Sequence, residues 1–338
     1  MRTRRVAGTA VELTEFGFGG AMIGNLYRAV DDATALAAID AAWQAGVRFF
    51  DTAPHYGLGL SEERLGRALA DRPRRDVVLS SKVGRLLVPN PRPGGRDPEG
   101  FDVPDTLRRE RDYSRDGVLR SLEATLRRTG LDRVDVVLVH DPDDHWQQAA
   151  DEAMPALADL RDQGVVGAIG AGMNQSPMLA RFLRETAADV VMLAGRYTLL
   201  EQGALDDVLP AAVELGKSVI AVGVFNSGLL ARDRPADGAR YDYADAPWDL
   251  IERATRIARV CEAHGTTLPA AAIAFPLGHP AVVNVTLGME SPDQVARNAA
   301  LQGASIPAAL WADLMSEGLL RPDSPTPPTR DPAPQPDA

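Results

Sequence analysis

The sequence predicts an α/β protein built as a (β/α)8, or TIM, barrel, and two observations carry that expectation. Eight short apolar, β-branched runs alternate with longer segments of helical periodicity. The chain of 338 residues, 45% hydrophobic, is also long enough to close one large core around them. In such a barrel the C-terminal strand ends and the loops that follow them build the site, so each run is read for what stands at its end.

Run 16–20 (FGFGG) is followed by a helix over 31–46, opened by Asp31 and Asp32 and closed by Gly46. Run 47–51 (VRFFD) ends on Asp51, and the loop after it carries Tyr56. Run 77–83 (VVLSSKV) nearly ends on Lys82, and a helix over 114–130 precedes run 134–140 (VDVVLVH), which ends on His140. Runs 165–172, 190–195, 218–224 and 282–288 complete the eight, with a further helix over 248–265. Consecutive right-handed βα units place each strand beside the last, so Asp51, Lys82 and His140 should converge at one rim with Tyr56 above them. Two insertions, 84–113 after strand 3 and 225–247 after strand 7, would stand over that rim, and loops of such length are functional lids or disordered segments; the lid reading is favoured. From Arg321 onward the chain is proline-rich without a core-forming pattern. The domain plan is therefore one barrel over 1–321 and a disordered tail over 322–338.

Composition narrows the function. A net charge of −11 argues against nucleic acid and favours a small-molecule enzyme. The single cysteine, Cys261, excludes an internal disulfide. No apolar stretch has signal-peptide or membrane-span length, so cytoplasm is the default expectation. Only Lys82 and Lys217 among the 36 basic residues are lysine. Lys217 follows a helix, where any cation suits the dipole. Lys82 ends a buried strand, where a compact ammonium with an adjustable pKa differs chemically from a guanidinium.

An unperturbed tyrosine, with a pKa of about 10, is a poor acid or base at neutral pH. A neighbouring ammonium favours phenolate and lowers that value, and Asp51 would keep Lys82 in place and charged. Tyr56 would then exchange a proton with a substrate oxygen that His140 orients. This is acid/base equipment without a nucleophile or an obvious metal, suited to carbonyl/alcohol interconversion with hydride moving to or from a cofactor. Taken singly, Asp51 and Lys82 read equally well as a structural ion pair, Tyr56 as a packing residue and His140 as a core histidine. His55 is given no role.

The stretches RFFDTAPHYGLGLSEERLGRAL, LSSKVGR, GLDRVDVVLVHDPD, AIGAGMNQ and GMESPDQVARN, in order over about residues 5–305, resemble the aldo-keto reductase superfamily. The resemblance implies a barrel with a nicotinamide cofactor and a catalytic tetrad of Asp51, Tyr56, Lys82 and His140. Further stretches, FGFGGAMIGNLYRAV, HDPDD, GRYTLLEQ and FNSGLLA, are similar to a subgroup of L-fucose, D-threo-aldose and L-galactose dehydrogenases and pyridoxal 4-dehydrogenase, which oxidise a cyclic hemiacetal to a lactone. That implies an aldose oxidised at its anomeric carbon, with pyridoxal or general aldehydes as alternatives.

No G-x-G-x-x-G opens a helix after a strand, so a Rossmann fingerprint is absent. The resemblance instead implies cofactor contacts from Met22, Asp51, Asn174, Phe225, Asn226, Ser227, Gly228, Leu229, Gly288, Glu290, Gln294 and Asn298. Phe225 would stack near the nicotinamide, the backbone from Asn226 to Leu229 would hold the pyrophosphate, and the helix start with Gln294 and Asn298 would surround the adenosine. Two departures stand out. A glutamine expected near the end of strand 6 falls on Ala194, and the usual Ser-Asn after strand 5 is Gly172 and Met173, with Asn174 one place later. Glu290 would repel a 2′-phosphate, which favours NAD over NADP. Rival readings are a Schiff-base lyase on Lys82, a metallohydrolase using His55, His140, Asp141 and His145, and a cofactor-sensing module. The oligomeric state is not encoded legibly.

Overall fold

The structure, a computed structural model, describes residues 1–236, 238–242 and 244–328. Its centre is a closed barrel of eight strands: β1 Phe16–Gly19, β2 Phe49–Asp51, β3 Val78–Val83, β4 Val136–His140, β5 Ala168–Met173, β6 Val190–Ala194, β7 Ser218–Val222 and β8 Val282–Gly288. All pair in parallel, each beside its predecessor, and β8 closes onto β1. The predicted runs and the observed strands coincide to within a few residues. Residues 165–167 fall outside β5 because the Gly167 and Ala168 amides both turn back onto Asp135 O, at 2.9 and 3.0 Å.

Alternation along the strands decides which side chains reach the site. Phe49, Val136, Leu138, Ala168, Val190, Met192 and Ile220 fill the barrel interior. Phe50, Val137, Val139, Ile169 and Val191 join the layer between sheet and helices. Two residues past an inward Phe49 comes Asp51, and two past an inward Leu138 comes His140. The same period along β3 sets Ser80 and Lys82 on one face. The strand bottom is stoppered by a hairpin, Thr3–Arg5 against Glu12–Thr14, whose neighbours Val6 and Leu13 join the interior cluster.

Several of the helices start where short polar side chains cap free amides. α1 (Asp32–Gln44) is capped by Asp31 accepting from Thr34 N. α2 (Leu60–Leu69) follows the Tyr56 loop, and α3 (Arg115–Thr129) is capped by Ser114 and ends on Gly130 in the left-handed region. After a π-type segment, Ala149–Ala153, come α4 (Met154–Asp162), α5 (Ser176–Glu185), α6 (Val208–Glu214) and α7 (Trp248–Ala263). The last are α8 (Leu268–Ala274), α9 (Pro292–Gln302) and α10 (Ala308–Ser316).

The insertion after β3 is an ordered antiparallel hairpin, Arg85–Pro89 with Leu107–Arg111. Arg109 fastens it to buried Asp97 at 2.6 and 2.8 Å and to His55 O at 2.7 Å. The insertion after β7 contains a two-residue hairpin, Arg240–Tyr241 with Ala244–Asp245; positions 237 and 243 lie outside the described residues. The proline-rich stretch expected to leave the domain at 322 instead lies against the barrel as far as 328. Ser324 is buried, Arg321 pairs with Asp206 at 2.7 Å, and the backbone at Thr326 and Pro327 approaches Gly278 so closely that a Cβ there would meet it at 2.5 Å. Residues 329–338 of the expected tail lie outside the described residues.

Candidate active site

The apolar run before Asp51 holds the β2 end rigid, and the loop after it delivers Tyr56. Gly57, Leu58 and Gly59 follow with φ of 65°, 54° and 96°, a left-handed run that glycine adopts without strain. A Cβ on Gly57 would lie 2.2 Å from Gly24 O, so the loops after β1 and β2 touch through bare backbone beside Tyr56. Behind them, fully buried Glu62 of α2 accepts from Arg128 Nε at 2.5 Å, Thr125 at 2.7 Å and Ser81 at 3.2 Å. That network ties α2 to α3 and β3, fixing the loop's exit.

The four predicted residues meet at the C-terminal rim. Lys82 Nζ donates to Asp51 Oδ1 and Oδ2 at 2.9 and 2.7 Å and to Thr52 O at 3.0 Å. The ammonium stands 4.7 Å from the Tyr56 ring centre. The His140 ring lies edge-on to Tyr56, 5.9 Å between centroids, and its Nδ1 is buried without a partner among the described residues.

Burial alone would lower the Lys82 pKa, yet the Asp51 carboxylate and Tyr56 outweigh it and push it up, so this lysine stays an ammonium. Burial pushes Asp51 up, with Lys82 opposing. Tyr56 corrects the sequence expectation: burial raises its phenol above the ordinary value, and Lys82 offsets that only in part. The resting group is therefore a protonated phenol. Burial, reinforced by Arg85 and Lys82, holds His140 well below the usual histidine range, and His55 is pushed down to about 2 by burial and the same cations. Both imidazoles are neutral at physiological pH.

These groups line a cavity of about 550 Å3. Its walls include Gly19, Gly20, Met192, Gly223, Thr286 and Gly288 on one side and Leu26, His55, Arg85, Glu99, Phe101, Asp141 and Asp143 on the other. The hairpin after β3 thus roofs the site, as a lid reading expects. Among its described residues the insertion after β7 does not line this cavity; its Tyr241 and Asp242 accept from Arg196 at 3.1 and 2.6 Å.

The sequence of this barrel matches the model of the Aldo/keto reductase family over residues 15–314. The chain belongs to the aldo/keto reductase family. This aldo/keto reductase is an oxidoreductase, and the family's nicotinamide chemistry fits its site. It is 48% identical to a D-threo-aldose 1-dehydrogenase from Pseudomonas sp, over 93% of this chain and 97% of that protein. It is 37% identical to a pyridoxal 4-dehydrogenase from Microbacterium luteolum, covering 94% and 97% of the two chains. Among solved structures it resembles a glycerol dehydrogenase from Gluconobacter oxydans, with a TM-score of 0.74 at 25% identity and 99% of each chain covered. The holo form of an aldo-keto reductase from Bacillus halodurans superposes with a TM-score of 0.72 at 24% identity, over 94% and 96% of the chains, which supports the fold.

The expected cofactor residues fall on both sides of β8. Asn174 and Gly288 line the cavity, and Met22 presses on Gly288 so closely that a Cβ there would meet Met22 Cγ at 3.0 Å. Asn226 and Ser227 are left-handed residues, φ 45° and 57°. Asn226 donates to Gly195 O at 3.1 Å, while its buried Oδ1 has no partner among the described residues, an acceptor suited to an amide donor from a ligand. Ser227 and Gly228 are exposed and Phe225 is half-buried. Leu229 differs from the expectation: its amide is spent on Asn226 O at 3.2 Å and its side chain is in the core, and the Asn226 and Gly228 amides likewise close the turn, on Gly223 O and Phe225 O. Ser227 is the exposed polar side chain of that turn. Glu290 is fixed by Gln294 Nε2 at 3.1 Å and paired with Arg28, and Asn298 is buried on α9. Asn226 at the end of β7 and Asn174 after β5 are thus the amides available where Gln and Ser-Asn were expected.

Sequence reasoning left Arg85, Glu99, Phe101 and Asp143 without roles and weighed Asp141 only as a metal ligand. Among the described residues no group of three or more His, Cys, Asp or Glu is arranged to hold a metal ion; His145 instead stacks on Tyr113, 5.3 Å between centroids. Arg85 does carry one readable signal, a cation directly after the Gly84 that follows β3.

Proposed function

We propose that this enzyme oxidises the anomeric carbon of an aldose in its hemiacetal form to a lactone, with NAD as its coenzyme and Asp51, Tyr56, Lys82 and His140 as the groups that handle the proton. The observation that carries the chemistry is the Lys82 ammonium held on both Asp51 oxygens beside the Tyr56 phenol. The substrate class is drawn from the 48% identity to a D-threo-aldose 1-dehydrogenase.

The nicotinamide, when bound, supplies the acceptor for hydride from C1. Tyr56, as phenolate, removes the anomeric hydroxyl proton, and Lys82 stabilises the phenolate that must form. Asp51 keeps Lys82 charged and aimed. Neutral His140 hydrogen-bonds the reacting oxygen and orients it. In the reverse direction the phenol form donates its proton to a carbonyl oxygen. The charged state of Lys82 argues against a Schiff-base lyase, which needs a neutral amine. Following nicotinamide absorbance with L-fucose, D-arabinose, L-galactose, pyridoxal and simple aldehydes tests the reading: an aldose is expected to give the highest kcat/KM. A panel led by pyridoxal would transfer the same hemiacetal chemistry to the other substrate class, and a panel led by simple aldehydes would refute the lactone reading.

The pH dependence follows from the burial of Tyr56. With its phenol above the ordinary value of about 10, kcat/KM for oxidation is expected to climb with pH through about 10 without levelling there. Reduction uses the stocked phenol form and should stay flat through neutrality. Because His140 is held neutral far below its usual range, neither activity should fall near pH 6.5 on its account. An oxidation profile already level below pH 8 would contradict the assignment.

Coenzyme choice rests on Glu290. Its carboxylate is buried and fixed by Gln294; in this reading it accepts from a ribose hydroxyl and opposes a 2′-phosphate. Arg28, mostly exposed, is neutralised by the same carboxylate. Glu290→Ala is therefore expected to lower kcat/KM for NAD and to raise it for NADP, shifting the ratio at least about tenfold, since a freed guanidinium suits phosphate. An unchanged ratio in initial-rate measurements would reject this role.

A further inference from the structure

Asp141 is the first residue beyond β4, next to His140, and its φ of 41° puts a non-glycine residue in the left-handed region at the wall of the cavity. Such conformations persist where the surroundings over-determine them, and they gather at functional sites. Here the backbone is held by Tyr113, whose buried hydroxyl donates to His140 O at 2.8 Å and to Asp141 O at 3.0 Å. The carboxylate is held from the roof by Arg85 Nη2 at 2.6 Å. Arg85 in turn reaches His55 Nδ1 at 3.3 Å and Glu99 at 3.4 Å. These constraints leave Asp141 Oδ2 only 3.4 Å from His140 Nε2, and about a third of the side chain remains open to the cavity.

We propose that Asp141 is a specificity-determining residue that accepts a hydrogen bond from the hydroxyl on the carbon next to the reacting carbon, so that the site selects 2-hydroxy aldehydes and aldoses over aldehydes without that hydroxyl. The inference rests on the proposed use of His140 to orient the reacting oxygen. Vicinal oxygens of a sugar lie about one hydrogen-bond length apart. An oxygen bonded to His140 Nε2 therefore sets its neighbour within reach of a carboxylate oxygen 3.4 Å from that nitrogen. The strand end thus reads the substrate with two successive side chains, one on O1 and one on O2. Arg85 keeps the carboxylate from turning away, and desolvation by the hairpin strengthens the bond. A substrate without the hydroxyl would leave a half-buried carboxylate facing apolar carbon, which disfavours it strongly.

The test pairs substrates that differ by that one hydroxyl, measured with wild type, Asp141→Ala and Asp141→Asn. D-Arabinose and 2-deoxy-D-ribose, which shares its remaining stereocentres, are compared in oxidation; glycolaldehyde and acetaldehyde are compared in reduction. Wild type should favour the hydroxylated member of each pair by about tenfold to a hundredfold in kcat/KM, the range for a charge-assisted hydrogen bond. Asp141→Ala should collapse that ratio to within about threefold by losing activity on the hydroxylated member alone, and Asp141→Asn, which keeps the volume and one acceptor, should fall between. A ratio that survives in both variants overturns the proposal, and so does an equal loss on both members, which is what a residue serving only to hold Arg85 would produce. Failure of the aldose reading shows separately, as no turnover of either sugar by wild type while the reductive pair still reports on Asp141.

Discussion

Tyr56→Phe is expected to lower kcat/KM for the best substrate by about 10³-fold, within the range that a positioned acid or base contributes, while coenzyme affinity changes little. The substitution removes one oxygen and leaves the ring. Gly57, Leu58 and Gly59 still turn the loop, and the Gly24 contact still presses on its backbone. Lys82 keeps both Asp51 oxygens and Thr52 O, so the ion pair survives the change. Coenzyme titration by intrinsic fluorescence should confirm an intact fold and cofactor site in the same sample. Turnover near that of wild type would remove Tyr56 from the chemistry.

Lys82→Met carries the second large effect, because it acts on stability as well as on rate. Both partners of the Lys82–Asp51 bridge are nearly inaccessible to water. Removing the cation leaves an uncompensated buried carboxylate, which costs about 3–5 kcal/mol, and withdraws the charge that offsets the burial of Tyr56. Denaturant midpoints should fall accordingly, and turnover should be lost at least as fully as in Tyr56→Phe. Pairing it with Asp51→Asn is expected to recover most of the lost stability and none of the activity, since a neutral amide is far cheaper to bury than a carboxylate. A double variant with restored turnover would show that the pair is structural, and the bland reading of Asp51 and Lys82 would then stand.

The site was legible in the sequence to the extent that chemistry sits on strands. Phe49-Phe50-Asp51 carries its own orientation: period two sends Asp51 inward with Phe49, and the same rule applies to Leu138 and His140. Consecutive parallel strands then bring the three ends together without any information from the loops. Tyr56 was legible because it stands in the loop that directly follows Asp51. What the sequence did not disclose lies in long-range contacts. That Arg85 would reach across to Asp141, and Arg109 down to Asp97 and His55 O, depends on how a hairpin of unreadable register folds back over the rim. The direction of the Tyr56 shift was also hidden, since a neighbouring ammonium can be inferred from strand ends but the degree of desolvation cannot. The tail shows the limit of composition: its prolines, without a pattern, still find a surface as far as residue 328, beside the bare Gly278.

The most direct measurement is to incubate the enzyme with NAD and L-fucose deuterated at C1 and to follow both products by NMR. The account predicts deuterium at C4 of the reduced nicotinamide and a fucono-lactone formed in equal amount. Reduced coenzyme without deuterium, or a folded enzyme that yields neither product from this or any other aldose, would contradict it.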